Sequence, residues 1–326
     1  MSPPSERRVR ILGAGVFGLA CAAELRAQGV AVEIWDRAAA LSGETCSWLA
    51  GGMLAPGCEA ESAPLAVVSA AAGCADWWEA QGVPVTRRGS LVLAAPRDQG
   101  ELPRFLRQSQ GGAVVEGAAL AALEPGLANR HTLGIFYPDE AHLDPRAALS
   151  VLAEKAGVQW GRAGASDDLN GVDFLIDARG IAARPDFTDL RGVRGEMLVL
   201  HCPDVDITRP VRLIHPRFPC YLVPRGQGVY MLGATMVESD DRKPITARAA
   251  LDLLSALWAI HPGFAEAEIL ETGAHVRPAF ADNIPQVRRA GRVIRVNGAY
   301  RHGFLLAPYL ARQVAALVQE EVRACA

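Results

Sequence analysis

Within the first 40 residues the apolar positions change period twice, and the changes mark out three elements. Residues 9–12 (Val-Arg-Ile-Leu) form a short, mostly apolar run, the pattern of a buried strand. Phe17, Ala20, Cys21 and Leu25 then recur at helical spacing until Gly29 supplies a stop. Residues 30–35 are a second β-like run, ending on Asp36. The first turn of this strand–helix–strand unit reads Gly13-Ala14-Gly15-Val16-Phe17-Gly18, a G-x-G-x-x-G. In a dinucleotide-binding turn each glycine has a mechanical task. Gly13 permits the tight turn, Gly15 lets the backbone approach a pyrophosphate, and Gly18 allows close helix–strand packing. The helix that follows offers free N–H groups and a partial positive charge to phosphates. Asp36 stands ~20 residues on, where a carboxylate accepts hydrogen bonds from a ribose. The pattern predicts a bound dinucleotide and leaves NAD and FAD both open.

Later patterns extend the layout. Asp144-Pro145 has the cap and first-turn proline of a helix reaching about Gly157. Strands at 158–160 and 174–177 follow, the second leading into Ala178-Arg179-Gly180. Residues 90–95 and 133–137 suit a separate antiparallel sheet, which the 194–277 region enlarges with a hairpin turning at 225–228. Residues 251–260 are an amphipathic helix. Residues 293–296 make a strand, 297–303 a glycine-containing loop, and Leu305, Leu306, Leu310, Val314, Leu317 and Val318 a helical stripe.

Composition narrows the classes. The chain has 326 residues, half of them hydrophobic, and so exceeds the usual size of one domain. A net charge of −3 with mixed signs gives no reason to expect a nucleic acid or an electrostatic membrane anchor. Seven cysteines lie scattered without metal-ligand spacing, which predicts reduced thiols, a cytoplasmic protein and no metal. Arg7, Arg8 and Arg10 ahead of an apolar run imitate a signal peptide, but the phosphate-type glycine spacing and the following strand favour the dinucleotide reading. No other apolar stretch approaches the ~18–20 residues of a membrane span.

Family resemblance enters with Thr45-Cys46-Ser47-Trp48-Leu49-Ala50-Gly51-Gly52-Met53-Leu54-Ala55-Pro56. This small-residue segment resembles the flavin-contacting loop of the D-amino-acid oxidase family, and most closely its glycine oxidase branch, which serves thiazole formation in thiamine synthesis. Val193-Arg194-Gly195-Glu196-Met197-Leu198, Cys220-Tyr221-Leu222-Val223-Pro224-Arg225 and Leu232-Gly233-Ala234-Thr235-Met236 continue the likeness. Val276-Arg277-Pro278 and the stretch 297–308 complete it. The resemblance implies an α/β fold in which a Rossmann-like FAD-binding domain (1–84, 144–193, 278–326) is interleaved with an antiparallel-sheet α+β substrate domain (85–143, 194–277). It implies FAD contacts from Gly13, Gly15, Val16, Phe17, Gly18, Asp36, Arg37, Cys46, Ser47, Gly51, Gly52, Met53 and Gly180. Ala299, Tyr300, Arg301, His302, Gly303, Phe304 and Leu305 would wrap the ring from the far side.

The same resemblance makes Arg277 the substrate's carboxylate anchor. A planar guanidinium suits the task because its fork donates two parallel charge-assisted hydrogen bonds. Tyr221 is expected to donate to that carboxylate and wall the pocket, Arg301 to act as a second substrate-side arginine, and Met236 to close the pocket near Cα. His302 stays outside the chemistry, because the family needs no obligatory protein base. Pro219 stands where some glycine oxidases carry histidine, which leaves the substrate range open. The expected reaction is oxidation of a small amino acid, glycine foremost, with O2 as acceptor and a thiazole synthase as receiver of the imine. Sarcosine or D-amino-acid oxidation, electron transfer to another acceptor, and a non-catalytic flavoprotein remain alternatives, and the oligomeric state is open.

Overall fold

The computed structural model describes residues 7–128, 130–215 and 219–324. Cys325 lies outside the described residues; the other six cysteines are unpaired. Three sheets carry the chain. The first has six strands in the order Gln286–Ala290, Val293–Asn297, Phe174–Asp177, Arg8–Leu12, Ala31–Asp36, Gln159–Trp160. All its pairings are parallel except that of Gln286–Ala290 with Val293–Asn297.

Alternation along these strands sorts side chains onto two faces. Ile11, Ile34, Ile176 and Ile294 point to one and are fully buried. Helices Val16–Ala27, Pro145–Ala156 and Gly303–Ala324 cover that face with Leu19, Leu149, Leu152 and Leu310. Leu12, Trp35, Leu175 and Val293 gather on the other. Each such aliphatic side chain contributes roughly 1.5–3 kcal/mol by leaving water.

Both predicted helix caps of the middle segment form. The Asp144 side chain accepts from Arg146 N, and Gly157 ends the helix in the left-handed conformation at φ 58°. The last helix contains Pro308, whose missing N–H would leave the Phe304 carbonyl unpaired. Trp78 Nε1 donates to that carbonyl at 3.0 Å, and Cys74 Sγ does so at 3.4 Å. The proline break is thereby satisfied inside the core.

The second sheet has nine strands. Its path runs Val237–Glu238, Arg191–His201, Val229–Gly233, Cys220–Gly226, Val211–Ile214, Ser90–Ala94, Leu133–Tyr137, Ala113–Glu116, with Glu268–Ala279 paired along Arg191–His201. The hairpin turns where read from sequence, with positive φ at Gly226, Gln227 and Gly228. One pairing in this sheet, Val211–Ile214 with Ser90–Ala94, is parallel. Helix Ala247–Ile260 is capped by Thr246 and buries Leu253, Leu257 and Ile260. It begins several residues ahead of the periodic stretch because the cap, rather than the periodicity, sets its start. A third, three-stranded sheet joins Met53–Leu54 to Ala141–Leu143 and Val85–Thr86. The fold is thus the α/β arrangement expected, a parallel dinucleotide-type sheet beside a largely antiparallel one. No helix among the described residues is long and apolar enough to cross a membrane.

Candidate active site

A cavity of about 480 Å³ runs from the first βα turn of the parallel sheet to the face of the nine-stranded sheet. At its fingerprint end Gly13 has φ +99°, and a Cβ there would stand 2.7 Å from the Ala178 carbonyl oxygen. A Cβ on Gly18 would lie 1.9 Å from the Gly13 oxygen, so the third glycine acts in packing and does not line the cavity. Gly15 precedes the helix without a side-chain cap, and no acid occupies the first turn. One of the free first-turn donors, Val16 N–H, reaches Ser47 Oγ at 3.1 Å. Asp36 accepts from Ala14 N at 2.7 Å and from Ala38 N at 2.8 Å, which fixes its carboxylate beside the turn. Trp35 is held between two guanidiniums, with Arg10 3.9 Å and Arg162 3.5 Å from its ring centroid. Its indole nitrogen is buried without a partner among the described residues, although the ring lines the cavity.

Midway, the glycine-rich loop forms the wall. A Cβ on Gly51 would come 2.6 Å from Tyr221 Cε2, and one on Gly52, at φ +72°, would come 2.3 Å from the Leu143 oxygen. Arg225 sits behind this loop and donates to the carbonyls of Gly51 at 2.8 Å, Leu143 at 3.2 Å and Ala50 at 3.4 Å. No ion pair joins it to an acid among the described residues, and burial draws its pKa down to about 10. Tyr221 and Arg225 lie on one strand and both meet Gly51, although a bulge interrupts the ladder at Arg225. Cys46 packs its sulfur 2.8 Å from His275 Nδ1 on the opposite wall, and burial pushes its thiol up to about 12. Burial likewise lowers the pKa of His275.

At the sheet end Arg277 lies flat on Gly195, where a Cβ would stand 2.2–2.5 Å from the guanidinium atoms. Its Nη1 donates to the Thr235 carbonyl at 2.9 Å, and it forms no ion pair with an acid of the described residues. Tyr221 shares this end; burial raises its phenol pKa, and the Arg277 charge opposes that rise. Arg301 is different. Its Nε lies 2.7 Å from Glu59 Oε2, and Nη2 donates to Ser62 Oγ at 2.6 Å. Arg212 faces the same carboxylate at 3.5 Å and Glu61 at 3.4 Å. Burial favours protonation of Glu59, but the charges of Arg301 and Arg212 hold its pKa below the ordinary carboxylate range. His302 Nδ1 stands 3.4 Å from Glu59, yet burial lowers its pKa to about 4 and the imidazole is neutral.

The loop 297–303 reaches this end through backbone geometry. Asn297 Nδ2 holds the Gly180 carbonyl at 2.8 Å, Tyr300 N donates to Pro278 O at 2.8 Å, and Tyr300 adopts a left-handed φ of 48°. The residues singled out from sequence line the cavity together, apart from Gly18 and Met236. Met236 is 45% exposed and touches the outer side of Tyr300 and Arg301, with its sulfur 3.2 Å from the Tyr300 hydroxyl. Pro219 is exposed and does not line the cavity. Sequence reading passed over Glu59, Arg212, Trp35 and Arg225. For Glu59 the one available signal was its place three residues after Pro56, at the end of a short proline-started helix.

Fold and cavity define a dinucleotide-dependent enzyme with a cationic pocket beside the cofactor tunnel. The family model for FAD dependent oxidoreductases (DAO) matches residues 8–317, and the chain belongs to this family. It is 50% identical over 317 residues, 94% of this chain and 95% of the relative, to "Putative thiamine biosynthesis oxidoreductase ThiO" of Rhizobium etli. It is 26% identical, over 97% of its own length and 53% of the longer relative, to "Bifunctional protein ThiO/ThiG" of Nostoc. Among solved structures, glycine oxidase from Geobacillus kaustophilus shares the fold, with a TM-score of 0.77 at 23% identity over 96% of this chain and 95% of that one. The cofactor is FAD. The residues present fit it: Gly13, Gly51 and Gly52 line the cavity at positions where a Cβ would collide with neighbouring backbone or with Tyr221, and the helix beginning at Val16 opens on the same cavity with no side-chain cap and no acid in its first turn.

Proposed function

We propose that the chain oxidises glycine, or an amino acid of similar size, at its Cα–N bond. In the balanced reaction glycine, O2 and water give glyoxylate, ammonia and hydrogen peroxide. The observation that carries this reading is Arg277, a cavity-lining guanidinium with no acid of the described residues paired to it and with its position fixed by Gly195 and Thr235. A planar fork so placed receives a carboxylate by two charge-assisted hydrogen bonds. Tyr221 adds a neutral donor, since its raised pKa keeps the phenol protonated. Together they orient the amino acid so that Cα faces the loop carrying Gly51 and Gly52, and this fixed orientation supplies much of the rate. Bound FAD supplies the two-electron acceptor for the Cα–H bond. Met236 packs outside Tyr300 and Arg301 and supports that wall.

Gly13, Gly15, Val16, Phe17, Asp36 and Arg37 hold the adenosine and pyrophosphate half of the cofactor in this reading. Cys46, Ser47, Gly51, Gly52, Met53, Gly180 and the stretch 299–305 hold the flavin half. It divides the chain into cofactor segments 1–84, 144–193 and 278–326 and substrate segments 85–143 and 194–277. The strong likeness to a ThiO, and the like chain found within a ThiO/ThiG protein, support a place in thiamine biosynthesis with the imine passing to a thiazole synthase. The unpaired cysteines suit a reducing cytoplasm. A panel of glycine, sarcosine, D-alanine and D-proline, assayed for peroxide with and without air, tests the reading. Peroxide formed with glycine at the highest kcat/KM supports it. Turnover confined to a larger amino acid, or independent of O2, contradicts it.

A further inference from the structure

Arg212, Arg277 and Arg301 line the cavity, and they do not stand in the same state. Arg301 and Arg212 both face Glu59, at 2.7 Å and 3.5 Å, and Arg212 also faces Glu61 at 3.4 Å. Arg277 faces no acid among the described residues. The Glu59 side chain is only 17% exposed, those of Arg301 and Arg212 20% and 14%, so the three interact where water screens them poorly. Tyr221, Arg277, Glu59, Arg301 and Arg212 all line the same cavity, so the neutralised pair and the open guanidinium share one space.

We propose that Glu59 sets substrate class by charge: it occupies Arg301 and Arg212 so that the pocket receives one carboxylate and rejects a second. The proposal rests on the reading of Arg277 as the carboxylate anchor. A mono-carboxylate amine places its acid on Arg277 and presents no second anion toward Glu59. An amino dicarboxylate must bring its distal acid against the Glu59 carboxylate or displace it from two arginines. Like charges juxtaposed in a poorly solvated site are a strong means of rejection. Without the Glu59 charge, Arg301 becomes a second anion receptor on the same wall, helped by Arg212.

Acetate and malonate make the test, because malonate is acetate bearing one further carboxylate. Each is titrated into the FAD-loaded wild-type enzyme, Glu59→Gln and Glu59→Asp, and binding is read from the perturbed flavin absorbance. Neither anion carries an amine, so a contact between Glu59 and the substrate ammonium does not enter. The wild type is expected to bind malonate at least tenfold more weakly than acetate. Glu59→Gln should tighten malonate at least tenfold relative to acetate, and Glu59→Asp should keep the wild-type order. Equal wild-type affinities, or a ratio unmoved in Glu59→Gln, overturn the proposal while leaving the Arg277 site standing. A flavin spectrum moved by neither anion overturns both. The wild-type comparison needs no variant, so it decides the matter even where Glu59→Gln does not fold.

Discussion

Arg277 and Arg301 show how far identical side chains diverge by neighbourhood. Arg277 rests on a glycine with a backbone carbonyl as its protein acceptor, and its charge is left for a ligand. Arg301 is committed to Glu59 and Ser62. Truncating the first should therefore act on substrate binding. Arg277→Ala is expected to raise KM for glycine roughly 10²- to 10³-fold, the usual effect of removing one partner from a charged hydrogen-bonded pair. FAD should stay bound, because the residue stands at the substrate end. Steady-state kinetics and the absorption spectrum of the purified variant check both halves; loss of the flavin would mean that Arg277 serves the cofactor instead. At this scale Arg277 was legible from its motif. Glu59 was not, because nothing local to the chain announces that it meets Arg301 from a distant segment.

Among the elements, the loop 50–52 is held from behind rather than by its own turns. Arg225 takes the carbonyls of Ala50, Gly51 and Leu143, and Tyr221 on the same strand packs against Gly51. Arg225→Met keeps much of the volume and removes these donors. Leaving such a carbonyl unpaired costs about 1–3 kcal/mol, so FAD affinity should fall at least on the order of tenfold. Fluorescence of released FAD measures it, and an unchanged affinity would show that the loop holds its shape alone. The strand–turn–helix unit was readable in advance because its signals are local: a run, a glycine spacing, a stop. The short helix Pro56–Glu59 has no such local signal beyond its first-turn proline, and its fixing group lies far along the chain. Glu140 accepts Cys58 N at 2.6 Å and is also bonded by the Ser90 hydroxyl.

Glu140 also matters to the molecule as a whole. Burial raises its pKa from 4.5 to about 7, so the folded state holds this proton more tightly than the unfolded chain. The resulting stabilisation is complete below about pH 4.5 and is lost as pH rises to about 7, by at most roughly 3 kcal/mol. Glu140→Gln should flatten this part of the stability curve, measured by urea unfolding at pH 5 and pH 8. An equal slope in the variant would place the ionisation elsewhere. The pairing of Ser90–Ala94 with Val211–Ile214, and of Arg191–His201 with Glu268–Ala279, joins segments far apart in sequence, and periodicity within one strand carries no record of its partner. The alternation of the chain between two sheets was visible from the strand patterns and the family resemblance together. It brings the fingerprint turn, the glycine loop and Arg277 around one cavity.

That convergence is the central claim, and one titration reaches it most directly. Glycine is added without air to the purified FAD-loaded protein and to Arg277→Ala while the visible flavin absorbance is followed. The wild type should bleach at low glycine concentration, and the variant should bleach only at concentrations about a hundredfold higher or more. A wild-type flavin that keeps its colour with glycine and every other small amino acid, or a variant that bleaches as readily as the wild type, would contradict the account.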